Sequence, residues 1–342
     1  MRANIGSARS GRPLKKKIPE DNVKRCAILD DYQNVALSLG DWKSLPDVET
    51  KVFNEYLPTH EKRVEALKDF DIIVAMRERT PFDAALLKAL PKLKLLITTG
   101  HYNSSFDLAQ AEAQGIATSG TGGVNGVTAE LAWALMLALT RSVYEEVRDF
   151  KAGAKWQPRV SHDVGGKRLG VIGFGRLGSR VSKVGVAFDM DVIAWTPNLT
   201  EERVKAVGAK LASSVDEIMS TSDYISIHIP GNAKTRGLIG KREIGLMKPT
   251  AFIVNTSRGP IIDEDALVEA LEGKKIAGAA VDVYGQEPLP ADHRLRKIDN
   301  LIGTPHIGYV TEENYKVYYR DIVEDIAAWL KGTPIRPVAS RK

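Results

Sequence analysis

Short apolar runs alternate with amphipathic stretches along almost the whole chain. Arg25–Leu29, Asp71–Ala75, Leu93–Thr98 and Ile116–Thr118 are rich in Ile, Leu, Val and Ala, a pattern that predicts buried strands. Between them, residues 61–68, 81–89 and 105–114 show helical spacing. A second series begins at Arg168. Its predicted strands are Leu169–Ile172, Val192–Trp195, Tyr224–His228, Ala251–Val254, Ile276–Val281 and Leu301–Ile302. Predicted helices at Arg176–Phe188, Thr200–Val207, Ser214–Ser220 and Glu264–Glu272 separate most of them. Two such rhythms predict two α/β domains, each a doubly wound parallel sheet with helices on both faces.

Asn125–Phe150 carries the longest helical pattern. Its Thr128–Leu139 portion is apolar on nearly every side, so it needs burial on more than one face. An interdomain or subunit contact would supply this. Lys151–Gly166 is polar, contains glycine and reads as a linker. Glu312–Leu330 is helical again and follows the last strand of the second series. It is expected to return to the first domain, which would make that domain discontinuous and the two crossings a hinge.

The first strand of the second series runs into Gly173-Phe-Gly175-Arg176-Leu177-Gly178. This is the dinucleotide fingerprint G-x-G-x-x-G in its required setting, strand before and helix after. Gly173 permits the tight turn, Gly175 lets the backbone approach a pyrophosphate, and Gly178 brings helix and strand close. The pyrophosphate would rest on free N–H groups at the helix N-terminus. Six strands with the fingerprint on the first make a complete Rossmann NAD(P)-binding domain. The resulting division is a basic tail at 1–20, a substrate domain at 21–124 and 308–338, and a dinucleotide domain at 125–307.

Composition narrows the field. With 342 residues, 43% hydrophobic and 27% charged, the chain resembles an ordinary two-domain soluble protein. No apolar run reaches the roughly 18 residues that a membrane span needs. The single cysteine, Cys26, excludes an internal disulfide and suits a reducing compartment, here the cytoplasm. Its apolar neighbours mark it as a buried strand residue. The net charge of +5 belongs to a tail: residues 1–17 carry six basic residues and no acid, leaving the rest at −1. The tail reads first as a disordered extension. A transit peptide and a nucleic-acid arm stay open, although the tail lacks an amphipathic apolar face. No basic folded face points to nucleic acid. No histidine pair or cysteine cluster has metal-ligand spacing, so no metal is expected.

Four further segments follow predicted strands: His228-Ile-Pro230, Asn255-Thr-Ser-Arg-Gly259, Asp282-Val-Tyr-Gly-Gln-Glu287-Pro288 and Thr304-Pro-His306-Ile-Gly308. Open α/β sheets place ligands at those ends. With the fingerprint, in this order and spacing, the segments resemble the D-isomer-specific 2-hydroxyacid dehydrogenases over about residues 22–335. The resemblance implies a Rossmann domain inserted in a discontinuous, flavodoxin-like substrate domain. It also implies reversible NAD(P)-dependent oxidation of a D-2-hydroxy acid to a 2-oxo acid.

By position, His306 resembles the acid/base. It would take the hydroxyl proton as hydride leaves the same carbon. Glu287 resembles its partner, a carboxylate that stabilises the imidazolium formed. Arg258 resembles the anchor of the substrate carboxylate, gripped by the guanidinium fork. In the substrate domain, the loop holding Gly100, His101 and Tyr102 matches one that lines the family's pocket. The charge cluster Arg77-Glu-Arg79 after Ile72–Ala75 reads as a solvated loop, or as Arg77 or Arg79 drawing in an anionic substrate. For the cofactor, Gly173, Gly175, Arg176, Leu177 and Gly178 would meet the pyrophosphate, and Ile229 and Pro230 would border the adenosine. Thr235 would lie near the phosphates. Thr256, Ser257 and Arg258 would approach the nicotinamide with His306, and Asp282 would hold its carboxamide.

One position departs from the pattern. An acidic residue normally ends the second strand of an NAD domain; here Thr196 stands there. Arg203 and Lys205 follow one or two helical turns later. The reading leans to NAD(H) with NADP(H) open. Two other functions are weighed against the dehydrogenase. One is a dinucleotide-sensing, corepressor-like binding protein. The other is a formate dehydrogenase, which Glu287 disfavours because glutamine would be expected beside the histidine. From the short stretch after Leu330, no regulatory domain of the kind carried by some phosphoglycerate dehydrogenases is expected, which weakens an allosteric role without excluding the short forms. A homodimer, held around Asn125–Phe150, is the family expectation.

Overall fold

In a computed structural model the chain is described over residues 23–338 and divides into two compact units. Unit 1 comprises the chain up to Gly123 with the stretch from Tyr315 onward; unit 2 is Val124–Asn314. The basic tail at 1–20, and the readings placed on it, lie outside the described residues.

Unit 1 is built on β1 (Lys24–Ile28), β2 (Val48–Val52), β3 (Ile72–Ala75), β4 (Leu95–Thr98) and β5 (Ala117–Gly120). All pair in parallel, in the order β2-β1-β3-β4-β5, which is the flavodoxin-like order. β3 and β4 are buried at every residue, as continuous apolar runs in a parallel sheet require. β2 was not anticipated. Its Val-Glu-Thr-Lys-Val sequence alternates exposed and half-buried positions on an edge strand, and its charges protect that edge. Helices α1 (Ala36–Leu39), α2 (His60–Leu67), α3 (Ala84–Lys88) and α4 (Leu108–Ala113) connect the strands. α2, α3 and α4 start where Thr59, Asp83 and Asp107 accept an N–H from the first turn.

Unit 2 opens with α5 (Val127–Thr140) and α6 (Val143–Lys151). The single long helix expected over Asn125–Phe150 is therefore two, broken at Ser142, whose φ is +49°. Part of the apolar surface of α5 is hidden within unit 2, while Leu131, Leu137 and Leu139 are only partly buried. Ala129, Ala132, Trp133, Leu135 and Met136 lie in a core cluster of unit 2 itself, and the Trp133 indole donates to the Val181 carbonyl at 3.2 Å. The expected linker after α6 is tied back to it by Arg159, which pairs with Glu146 and Asp149.

The sheet of unit 2 uses β6 (Arg168–Ile172), α7 (Arg176–Ala187), β7 (Asp191–Trp195), α8 (Glu201–Lys205), β8 (Lys210–Leu211), α9 (Val215–Thr221) and β9 (Tyr224–Ile227). It continues with α10 (Lys241–Leu246), β10 (Phe252–Asn255), α11 (Glu264–Glu272), β11 (Gly278–Val281) and β12 (Leu301–Gly303). The order is β12-β11-β10-β9-β6-β7-β8, all parallel. Seven strands replace the six anticipated, because the two-residue β8 is too short to show a pattern. The order in which strands are added reverses beside β6, the switch point at which doubly wound sheets take their ligands.

The last helix, α12, spans Glu312–Leu330. Tyr315, Tyr318, Tyr319, Ile322, Val323 and Ile326 are buried, a repeat that presents one continuous apolar face.

Candidate active site

In unit 2 the three fingerprint glycines each meet a different physical demand. Gly173 has φ +99°, and a Cβ there would come within 2.3 Å of the Ile229 nitrogen. A Cβ on Gly178 would lie 1.9 Å from the Gly173 carbonyl oxygen. Only glycine fits at either position. Gly175 differs: an added Cβ would meet nothing within 4 Å. The space is open in front of α7, where the first N–H groups of the helix have no intrahelical partners. Arg176 extends along the surface and donates to Asn125 Oδ1 at 2.8 Å, and Leu177 is half-buried.

The neighbouring strand ends supply polar atoms with nothing to bind. Thr256 Oγ1 and His228 Nδ1 are buried without a hydrogen-bond partner. Burial pushes the His228 imidazole down to about 4, so it is neutral, and its Nε2 lies 2.8 Å from Ser226 Oγ. The open cradle and these unsatisfied groups along one edge fit a dinucleotide, which brings phosphate and hydrogen-bonding ribose and amide groups. Ile229 is buried and Pro230 is its neighbour. Thr235 closes the loop after β9: its hydroxyl donates to the Pro230 carbonyl at 2.7 Å and accepts from Asn232 N at 2.9 Å. Thr196 follows β7 and is half-buried.

Two segments carry the acid/base candidates, each past the carboxyl end of a strand. His306 lies beyond β12 and Glu287 beyond β11. His306 Nδ1 and Glu287 Oε2 are 2.6 Å apart. The other carboxylate oxygen of Glu287 accepts the Tyr284 N–H at 2.9 Å. With Nδ1 facing a carboxylate, Nδ1 carries the proton, and Nε2 is the atom left to exchange one. His306 itself has φ +53°, a region few non-glycine residues occupy. Its backbone is held by the N–H to the Thr304 carbonyl at 3.0 Å.

Asp282, fully buried at the end of β11, fastens the same loop. Its Oδ1 accepts from Thr304 Oγ1 at 2.6 Å and Ile307 N at 2.8 Å; its Oδ2 accepts from Gly308 N at 2.9 Å. Burial raises its pKa against the opposing pull of these bonds. Three acceptor sites are taken, and a carboxylate has about four.

Arg258 follows β10. The loop is set by Asn255, whose Oδ1 accepts Ser257 N at 3.0 Å and whose Nδ2 donates to the Arg258 carbonyl at 3.0 Å. Ser257 Oγ donates to the Ile229 carbonyl at 2.5 Å, joining the loops after β9 and β10. Arg258 Nη1 donates to the Ser257 carbonyl at 2.7 Å. The arginine stem lies on Gly231, where a Cβ would fall 2.7 Å from Arg258 Cγ. The structure thus brings Arg258, Glu287, His306, Asp282 and the fingerprint to one edge of one sheet.

In unit 1, Arg77 and Gly100 meet beyond β3 and β4. Arg77, at φ +53°, donates from its backbone to Thr99 Oγ1 at 3.0 Å and from Nη1 to the Thr99 carbonyl at 3.3 Å. A Cβ on Gly100 would strike that Nη1. His101 is exposed and Tyr102 half-buried in the same loop. Cys26 is fully buried, and burial drives its thiol far above the usual range, so it is chemically inert.

Tyr309 was missed by sequence reasoning. Its ring meets that of His306 edge to face, centroids 5.6 Å apart at 75°. The signal was local, since Tyr309 directly follows Thr-Pro-His-Ile-Gly. Tyr284 was also missed; its hydroxyl donates to the Thr304 carbonyl at 2.9 Å. Among the described residues no cluster of His, Cys, Asp or Glu could hold a metal, and no helix is long and apolar enough to cross a membrane.

Two doubly wound parallel sheets, one with a fingerprinted first strand and a histidine–carboxylate pair, define a dinucleotide-binding α/β protein. The model for "D-isomer specific 2-hydroxyacid dehydrogenase, NAD binding domain" matches residues 133–308, over half of the chain. The chain belongs to this family. It is 38% identical to a D-3-phosphoglycerate dehydrogenase of Archaeoglobus fulgidus, covering 81% of this chain and 53% of that one. It is 33% identical to a glyoxylate reductase of Korarchaeum cryptofilum, covering 82% and 85%. A solved phosphoglycerate oxidoreductase of Vibrio cholerae superposes with TM-score 0.86 at 32% identity, covering 91% of this chain and all of that one. The chain spans about half the length of the D-3-phosphoglycerate dehydrogenases it matches.

Proposed function

We propose that this protein catalyses reversible hydride transfer between a nicotinamide dinucleotide and a D-2-hydroxy/2-oxo acid. The observation that carries the reading is the His306–Glu287 pair, 2.6 Å apart, on the sheet edge that also carries Arg258 and the fingerprint. When bound, the dinucleotide accepts hydride from C2 of the hydroxy acid or returns it to the 2-oxo acid. Arg258 binds the α-carboxylate and turns C2 toward the nicotinamide. His306 Nε2 takes the 2-hydroxyl proton during oxidation and gives it back to the carbonyl oxygen during reduction. Glu287 holds the ring by Nδ1 and balances its charge. Thr256 and Ser257 line the nicotinamide side, and Asp282 offers its remaining acceptor site to the carboxamide.

Oxidation of NADH and NADPH should be followed with glyoxylate, pyruvate, hydroxypyruvate and 3-phosphohydroxypyruvate. At least one pair should turn over, and His306→Ala should abolish turnover while dinucleotide binding survives. A panel with no turnover sinks the reading. His101→Ala and Arg77→Ala extend the test to unit 1. If those residues select the substrate, KM shifts between members of the panel and dinucleotide affinity does not.

The protein is also proposed to be a homodimer. Val143, Tyr144, Val147, Phe150, Trp156 and Val160 are exposed on α6 and the segment after it, with Phe150 at 71% and Trp156 at 75%. Val143, Val147, Phe150 and Trp156 border a groove of about 770 Å³. A contiguous apolar patch of this kind marks an interaction surface. The one buried cysteine fits a cytoplasmic location.

A further inference from the structure

The end of the second strand of unit 2 holds an arrangement that the fingerprint alone does not imply. β7 ends at Trp195, whose carbonyl accepts the Gly173 N–H at 2.7 Å. The second strand's end and the first phosphate turn are therefore in direct contact. Thr196 then opens a turn closed by Leu199 N on the Thr196 carbonyl at 3.1 Å, with Asn198 in the left-handed region at φ +59°. No carboxylate stands where adenine-ribose hydroxyls are normally bound.

Arg203 reaches back from α8. Its Nη2 donates to the carbonyl of Phe174, the residue between the first two fingerprint glycines, at 3.0 Å. That bond fixes the guanidinium beside the phosphate turn, on the side where β7 ends. Two acids, Glu201 and Glu202, precede it on α8. Glu201 pairs with Lys205 at 3.0 Å. Glu202 turns back on its own N–H and on Thr200, which hold its carboxyl below the usual range. Arg203 forms no ion pair among the described residues. Lys205, the other cation considered from sequence, is committed to Glu201.

We propose that Thr196 and Arg203 form a subsite for a 2′-phosphate, so that unit 2 takes NADP(H) at least as well as NAD(H). This rests on the dinucleotide reading above and names the form of the cofactor. An acidic residue at position 196 would repel the phosphate dianion; threonine can instead donate a hydrogen bond to it. A guanidinium already anchored by one N–H presents its remaining donors with little further ordering, and charge-assisted bonds to phosphate are the strong ones. Without a carboxylate there is also no strong preference for a bare 2′-hydroxyl.

The test is calorimetric titration of the full-length protein with NADPH and NADH separately. NADPH should bind within about threefold of NADH, or more tightly. Arg203→Ala should weaken NADPH about tenfold or more and leave NADH within about twofold. The unchanged NADH affinity also shows that the variant is folded. Thr196→Glu should move the NADPH-to-NADH ratio about tenfold toward NADH. Raising the salt should weaken NADPH more than NADH, because one phosphate contact is added. A native preference for NADH beyond about threefold, or equal weakening of both ligands in Arg203→Ala, overturns the subsite but not the dinucleotide site. If neither ligand binds, both readings fall.

Discussion

Replacing Glu287 by Gln removes one charge and keeps the shape of the side chain. The oxygen lost as an anion sits 2.6 Å from His306 Nδ1, and the two side chains are 28% and 21% exposed. Two unit charges about 4 Å apart interact by about 4 kcal/mol at an effective dielectric near 20. Partial exposure lowers that figure, and the glutamine amide keeps a neutral hydrogen bond of about 1 kcal/mol. About 2–3 kcal/mol of support for the charged ring is left to lose, or roughly 30- to 160-fold in kcat/KM. The loss should fall on the proton-transfer step, because Glu287 reaches the substrate only through His306. A cofactor deuterated at the transferred position should therefore show a larger isotope effect in the variant. Dinucleotide Kd should not move. Activity within about threefold of the native protein, or a loss explained wholly by weaker dinucleotide binding, would refute the pairing as the source of the acid/base power.

The remaining predictions concern the fingerprint, a buried acid and the exposed patch. Gly175→Ala fills open space, so its Tm should hold within about 2 °C while dinucleotide Kd rises about tenfold. Gly178→Ala drives a Cβ into the Gly173 carbonyl, and its Tm should fall by roughly 5 °C or more. In unit 1, burial pushes Asp325 up to about 7 although Arg336 Nε donates to it at 2.9 Å. The folded chain thus holds this proton to higher pH than the unfolded chain, whose carboxyl titrates near about 3.9. The stability this adds is present at low pH and is lost as pH rises through about 7. In denaturant titrations, the stability of the native protein relative to Asp325→Asn should therefore shrink between about pH 4 and 7; a growing difference would refute the sign. Phe150→Glu with Trp156→Glu should reduce the mass in light scattering to the 37.5 kDa of one chain, and an unchanged dimer would exclude this face.

What could be read from sequence depended on how local the cause was. β3, β4, β9 and β10 announce themselves because every residue is buried and the runs are mostly apolar. β2 hides because an edge strand tolerates Glu49 and Lys51, which resemble a loop. The break at Ser142 hides because neither glycine nor proline marks it; a serine at φ +49° carries the turn. Arg258, Glu287 and His306 were legible as members of motifs. The contacts that aim them were not. Asp282 meets its loop across 22 to 26 residues of chain, and Arg203 meets Phe174 across 29. No periodicity encodes pairings of that range.

Those distant contacts explain how an unfavourable backbone can persist at His306. A non-glycine residue in the left-handed region costs on the order of 1–3 kcal/mol and survives only where its surroundings leave no alternative. Here Asp282 holds the backbone of Ile307 and Gly308 just after the histidine, and Tyr284 holds the Thr304 carbonyl just before it. Glu287 fixes the ring while its second oxygen is tied to Tyr284 N. Tyr284 and Asp282 thereby position the imidazole by both its backbone and its ring. The acid/base geometry is thus a property of the linked loops after β11 and β12. Removing a bond in this network should let His306 relax toward ordinary backbone angles and, on the proposed reading, turn Nε2 away from the reacting carbon. Tyr284→Phe, which removes the hydroxyl bond to the Thr304 carbonyl and leaves Asp282 in place, should lower kcat while dinucleotide Kd stays as it was; an unchanged kcat would refute the positioning role.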